Sequence, residues 1–268
     1  MLKQLTRIVV LVLAAGLACA FLVSYAPGTM VDERELDRRL NESSIRELRS
    51  NKASQRDVFG NLWRYMAGLT KGDLGYSESN HSPIAVLIAD RAPETLREIA
   101  IGLAGGWVLG LALAIPKRGF SVIAGLLLSL PTALIAYLCL VAGAKSFLVL
   151  VIVLTPRIFR FARNLLAQAY TAPHVEMARA RGVAETKILV AHVLPAISPQ
   201  LLALAAASAS MAIGAIIPIE AICDVPGLGR LAWNAAMARD LPLLVNLTML
   251  VAVATTVATA VAEMANPE

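Results

Sequence analysis

Residues able to do chemistry are few in this chain, and they are far apart. Histidine occurs only at 81, 174 and 192, and cysteine only at 19, 139 and 223. Neither a CxxC nor an HExxH spacing is present, so a metal centre has no ligand framework in the sequence. The odd cysteine count, with two cysteines inside apolar runs, implies no disulfide framework. A GxxxxGK[ST] loop is also missing, so the chain cannot cradle nucleotide phosphates by that route. Two features remain. One is the charged stretch HVEMARARGVAETKILVAHVLP, from His174 to Pro195, set between apolar runs. The other is Glu220, an ionisable residue near the end of an apolar run, where such a group is a functional candidate by default.

The composition says what must position these residues. Of 268 residues, 57% are hydrophobic and only 16% charged, and the mean hydropathy is +0.67. A soluble domain is about half apolar and about a quarter charged, so this is a membrane protein. Aromatics make up only 5%, which points to helices packed through small residues. The net charge of +5 could suggest nucleic acid. The basic residues flank apolar spans, however, and orientation in a bilayer accounts for them better.

A bilayer core needs roughly 20 apolar helical residues. Six spans are predicted: 8–26, 95–116, 120–143, a short run FLVLVIVLTP that reaches full length only if its helix continues past Pro156, 196–223 and 241–262. The first could be a secretory signal, since Ala18-Cys19-Ala20 resembles a cleavage site. Its apolar run continues through Phe21, Leu22 and Val23, longer than a signal core, so an uncleaved anchor is expected. Pro131 is expected to kink the third span. The organisation read from this is an anchor at 1–26, an extracytoplasmic segment at 27–92 and a core of five spans at 93–268. Within 27–92, VDERELDRRLNESSIRELRS and DVFGNLWRYMAGL carry amphipathic helical patterns. SPIAVLIADRAP reads as a separate short helix capped by Ser82, with Pro83 in its first turn.

With the N-terminus inside, the inner loops hold Lys3, Arg7, Lys117, Arg118, Arg157, Arg160, Arg163, Arg179, Arg181 and Lys187. The short outer loops hold Lys145, Arg230 and Arg239. This asymmetry places the His174–Pro195 stretch in the cytoplasm. Within it, Val175 to Arg181 is a run of helix formers. Glu176 suits the start of that helix and Arg179 and Arg181 its end. Gly182 supplies the left-handed residue that stops it. A second helix is expected to begin near Glu185 and to continue into the next span. Read from the residues alone, the stretch is either a docking helix fixed between two spans or an ordinary charged connection.

EMARARG, followed nine residues further on by HVLP, resembles the cytoplasmic EAA motif of ABC-importer permeases. Glu176, Ala178, Gly182, Leu194 and Pro195 match it, with Met177 in place of the first alanine and His192 where isoleucine is common. The wording ARARG and HVLP is similar to the dipeptide/oligopeptide branch. YAPG at 25–28, KGDLGYS with SPIAVLIADRAPETL, IEAICDVPGLGRLAWNAAMARDLPLL and the terminal AEMANPE resemble other segments of that branch, in the same order.

The resemblance implies an all-α type I permease fold in a bacterial inner membrane, with a coupling helix at about 174–186. It implies no catalysis by this chain. ATP and Mg would be bound by two partner ATPase subunits, and a second permease subunit and an extracytoplasmic solute-binding protein would complete the importer. Glu176, Ala178, Arg179, Ala180, Arg181, Gly182, His192, Leu194 and Pro195 are the expected ATPase-docking residues. Glu220, Pro226, Gly227, Gly229 and Arg230 are the expected outer-gate or pathway residues. Glu220 could equally be bonded within the CDVPGLGR turn or paired with Arg230, and Asp224 and Asp240 read as structural partners of Arg230 and Arg239. An ATPase-independent secondary transporter is the alternative reading. An intramembrane protease is a third, although no histidine falls inside a span to support it.

Overall fold

The computed structural model describes residues 10, 11, 14–19, 21, 74–115 and 120–265. The amphipathic patterns between 27 and 73, most of the first apolar run and Lys117 and Arg118 lie outside them. Among the described residues the structure is helical, with one isolated bridge between Tyr76 and Pro83. These residues fall into two compact units. One contains residues up to Asp90 together with Asn234–Ala252. The other contains Arg91–Trp233 together with residues from Val253 onward.

Helix α1 runs without interruption over Ile84–Ala114. The separate short helix expected at 82–93 is therefore the first part of the span. Pro93 lies inside α1 and removes only its own hydrogen bond to the Ala89 carbonyl. Ser82 is not the cap: its hydroxyl donates to the Asn80 carbonyl at 3.1 Å. The carbonyl of Pro83 accepts the first turn, from Val86 and Leu87.

The expected third span is not one helix. It divides into α2, Phe120–Ser129, and α3, Thr132–Val141, which meet at 103°. Pro131 is extended at φ −61°, ψ 140°. It lacks an N–H and also disfavours helical geometry at Leu130, so a break replaces the expected kink. At ten residues each, the two helices are about 15 Å long, short of a bilayer core.

Helix α4, Ser146–Tyr170, does continue through Pro156. Next to that proline, the hydroxyl of Thr155 donates to the Val151 carbonyl at 2.7 Å. Helix α5 is Pro173–Ala180. Helix α6, Glu185–Ile188, passes through a π-turn at Leu189–Val193 into α7, Leu194–Ile222. The π-turn is followed by Pro195, which cannot donate to the Ala191 carbonyl. There the Leu194 N–H reaches back five residues, to Leu189. Helices α8, Leu228–Ala238, and α9, Leu241–Ala265, follow.

Three described helices are long and apolar enough to cross a membrane: α1, the continuous 185–222 segment, and α9. The bent α2–α3 pair would make a fourth. The second half of α4 carries Arg157, Arg160 and Arg163, and α4 is not among these spans. In the second unit α4 is the central element, packed by α2, α3 and α7. It also lies against the glycines of α1. A Cβ at Gly105 would stand 2.7 Å from Val151 and one at Gly110 2.7 Å from Ile158. Small residues thus let two backbones approach, as the scarcity of aromatics implied. Trp107 of α1 donates to the Ser208 hydroxyl of α7 at 3.0 Å.

Candidate functional site

The charged stretch folds as a short helix held from beneath. Ala172 is extended at the N-cap, Pro173 occupies the first helical position and Glu176 lies in the first turn, where its charge suits the helix dipole. Gly182 has φ +75°. The N–H of Gly182 bonds the Arg179 carbonyl at 3.0 Å, and that of Val183 the Ala178 carbonyl at 3.2 Å. This is a left-handed glycine stop of the expected kind. Arg179 reaches across the turn to Glu185, with Nε–Oε1 at 2.8 Å and Nη2–Oε2 at 3.4 Å. That fork ties α5 to α6. The sequence reading marked Glu185 only as a helix start.

Val175 and Ala178 face inward. They join a core with Phe159, Ala162 and Leu166 of α4, and with Ile188, Val193 and Ile197 of the segment leading into α7. At about 25 cal/mol per Å² of apolar surface, this buried face fixes α5 to both flanking helices far more firmly than a charged loop could be fixed. The solvent-facing side carries Glu176, Met177, Arg179, Ala180 and Arg181. Met177 is an apolar side chain 57% exposed. Beside it opens a cleft of about 340 Å³ lined by Pro173, His174, Met177, Ala178, Arg181, Val183 and His192. His192 sits in the π-turn, half-buried beside Val193, while Leu194 is half-buried and Pro195 exposed. The stretch therefore brings Ala178, Arg181 and His192 together and holds Leu194 and Pro195 outside the cleft lining. Met177, His174 and Val183 were not marked by sequence. The exposed methionine on a short charged helix was the available signal.

The turn after α7 is built on Glu220, which is wholly buried. Its carbonyl accepts from Val225 at 3.0 Å, and its Oε2 accepts from the Gly229 N–H at 2.6 Å. The N–H of Leu228 donates to Thr95 Oγ1 at 2.8 Å. Gly227 and Gly229 lie directly on the Glu220 carboxyl and on the Ile217 backbone, where a Cβ would collide. The guanidinium of Arg230 turns to Asp224 and not to Glu220. It bridges Asp224 at 2.7 Å and donates to the Asp224 carbonyl at 3.1 Å. Of the two readings of Glu220, bonding within its own turn is the one observed.

Asp240, by contrast, is the N-cap of α9. It accepts from both Ser77 and Ser79 and from the Leu243 N–H at 3.1 Å. Among the described residues no cluster of three or more metal-ligating side chains occurs.

Known proteins share this sequence pattern. The family described as binding-protein-dependent transport system inner membrane component matches residues 102–267. A protein of Brucella ovis that bears the name of a peptide permease is 26% identical, over 90% of this chain and 88% of its own length. The glutathione transport system permease protein GsiC of Escherichia coli is 25% identical over 70% of each chain. The nickel import system permease protein NikB of Staphylococcus aureus is 25% identical over 91% of this chain and 82% of its own. The family match takes in the buried-face helix, the glycine stop and the Glu220 turn within more than half of the sequence, and the chain belongs to the binding-protein-dependent transport system inner membrane components.

Proposed function

We propose that this permease moves peptides or a similar small solute inward, driven by ATP hydrolysed on partner subunits that grip α5. The reading is supported most by one observation: α5 has a buried face locked to α4 and α7 and an exposed face bearing Met177 beside a cleft. A rigid lever with an exposed apolar contact is what a force-transmitting joint requires. In this reading Met177, Ala180 and Arg181 enter a groove on an ATPase subunit, and Glu176 and the Arg179–Glu185 fork border the contact. Ala178 forms the floor of the cleft from within the chain. Gly182, His192, Leu194 and Pro195 set the joint between the lever and α7.

The rest of the assembly is part of the same proposal. Two ATPase subunits bind ATP and Mg, a second permease subunit pairs with this one, and a solute-binding protein delivers the solute from outside. The N-terminus and α5 lie in the cytoplasm and the 224–229 turn faces outward. Closure of the ATPases on ATP displaces α5, and α4 and α7 rotate with it. The turn that carries Pro226, Gly227, Gly229 and Arg230 over Glu220 serves as the outer gate, opening to receive solute and closing after hydrolysis. The chain is a transport subunit and carries out no catalysis itself.

The test is a cysteine at Met177 in a chain whose Cys19, Cys139 and Cys223 are replaced. A short bifunctional crosslinker should join it to a co-expressed ATPase subunit, and the crosslinked complex should hydrolyse ATP without transporting. Crosslinking only to lipid or to the second permease, with transport intact, would remove α5 from the coupling role.

A further inference from the structure

Within the second unit, α1 and α4 run side by side in step. A Cβ on Gly102, Gly106 or Gly110 would stand 2.8, 3.0 and 2.9 Å from the Cβ of Leu150, Leu154 and Ile158, respectively. Each turn of one helix thus matches the next turn of the other, and the two are parallel. On this register Arg157 is level with Leu109 and Arg160 with Ala112, inside the apolar turns that precede the end of α1 at Ala114. Helix α1 is long and apolar enough to cross a membrane, so both arginines spring from membrane depth. Helix α4 contains no Asp or Glu, and among the described residues no carboxylate bridges Arg157 or Arg160. Arg163 is engaged, lying over the Phe159 ring at 5.7 Å.

The face that carries the two arginines stays polar for three turns. Arg157, Arg160, Asn164 and Gln168 recur at the i, i+3, i+7, i+11 spacing of one helical side, and each is half-buried or exposed. The opposite side, with Phe159, Ala162 and Leu166, is buried. Helix α2, packed on the same helix, exposes Val122, Ile123 and Leu126 instead, a surface as apolar as lipid tails. A charged face at membrane depth is held against water or an opposite charge, and marks the route of a polar solute. We propose that Arg157 and Arg160 line the solute path through this chain and receive a carboxylate group of the solute. Their side chains start one turn apart on one helical side, about 5–6 Å between Cβ atoms, and a guanidinium fork matches a carboxylate with two parallel bonds. Asn164 and Gln168 continue the stripe toward α5 without charge, so the anion passes from charged to neutral donors and is not retained. The inference rests on a solute crossing through this chain, as proposed, but not on the contact made by α5.

The experiment uses the importer purified with its partner subunits, in detergent and in proteoliposomes. Phenylglyoxal, which modifies water-accessible guanidiniums, is applied in detergent free of anionic lipid, and modification of Arg157 and Arg160 is read by mass spectrometry. Both should react, and a mixture of dipeptides should protect them while the same mixture as C-terminal amides does not. In proteoliposomes, ATP-driven uptake of the acids should exceed that of the amides by about tenfold or more, and combining Arg157→Gln with Arg160→Gln should abolish that preference. Arginines that do not react, or that acids and amides protect equally, overturn the proposal. Protection by phosphatidylglycerol and not by the acids overturns it as well, because the stripe then belongs to lipid headgroups. An acid preference kept in the double variant has the same consequence. The labelling is done on the wild-type complex, so it decides even if the double variant fails to assemble. Crosslinking at Met177 is scored separately, so failure here leaves the ATPase assignment standing.

Discussion

The backbone N–H of Gly229 donates to the carboxylate of Glu220 at 2.6 Å, and a Cβ on Gly229 would lie 2.6 Å from the Ile217 Cα. The acid and the glycine thus impose the same requirement: the turn must come down onto the end of α7. Backbone cannot yield as a flexible side chain can. Gly229→Ala is therefore expected to lift the turn, at a cost of about 1–3 kcal/mol typical of overpacking. A lower melting temperature of the purified complex, together with reduced uptake into proteoliposomes, checks this. Unchanged values for both would mean that the turn is not closed in the working protein.

Asp240 gives a prediction with a pH sign. Burial raises its carboxyl, but hydrogen bonds from Ser77, Ser79 and the Leu243 N–H outweigh burial and hold it below the usual aspartate value. Its stabilisation is full above the unfolded value of about 3.9 and is lost as pH falls through the folded value, which lies lower. Glu78 has the opposite sign: burial, then Asp240, raises it. Its contribution is full below the ordinary glutamate value and is lost as pH rises through the raised folded value. Ser77→Ala removes a buried bond to a charged acceptor, worth about 1.5–3 kcal/mol. It should also move acid unfolding to higher pH. Near-ultraviolet circular dichroism during acid titration measures both.

Sequence and structure agree where a local signal acts alone. Gly182 after a run of helix formers ends a helix in any context, so its φ of +75° was legible. The run from Glu185 into the next span was legible for the same reason, since one apolar pattern crosses it. Pro131 was misjudged in degree. A proline tolerated at 93 and 156 with the helix intact breaks the chain at 131. Glu98 went unmarked because its hydrogen-bond partner, Ser146, is brought to it only by the folding of α1 against α4. Asp240 was read only as a partner of Arg239, and its bonds to two serines more than 160 positions away were not legible.

The seam between α1 and α4 can be tested by a double-mutant cycle. A Cβ at Gly105 meets Val151 Cγ2 at 2.7 Å, but the Val151 Cβ only at 3.8 Å. Gly105→Ala should destabilise through that methyl alone. Combined with Val151→Ala, the clash disappears, so the two changes together should cost less than their sum by a coupling of about 0.5–3 kcal/mol. Additive losses in melting temperature would place the two helices further apart than the structure has them.

Gly182 separates a steric from a conformational requirement. Nothing lies within 4 Å of where its Cβ would stand, so a side chain there meets no obstacle within the chain. The cost comes from the backbone: φ +75° is about 1–2 kcal/mol unfavourable for an ordinary L-residue and worse for a β-branched one. Gly182→Val should therefore unwind the end of α5, shift the Arg179–Glu185 fork and abolish ATP-driven uptake, while the solute-binding protein still binds the complex with unchanged affinity. Asparagine accepts the left-handed region, so Gly182→Asn should retain most of the transport. ATPase activity and uptake measured side by side in the two variants decide the matter. Equal inactivation by valine and asparagine would mean that a partner surface fills the space beside Gly182. Equal tolerance of both would mean that transmission does not pass through the end of this helix.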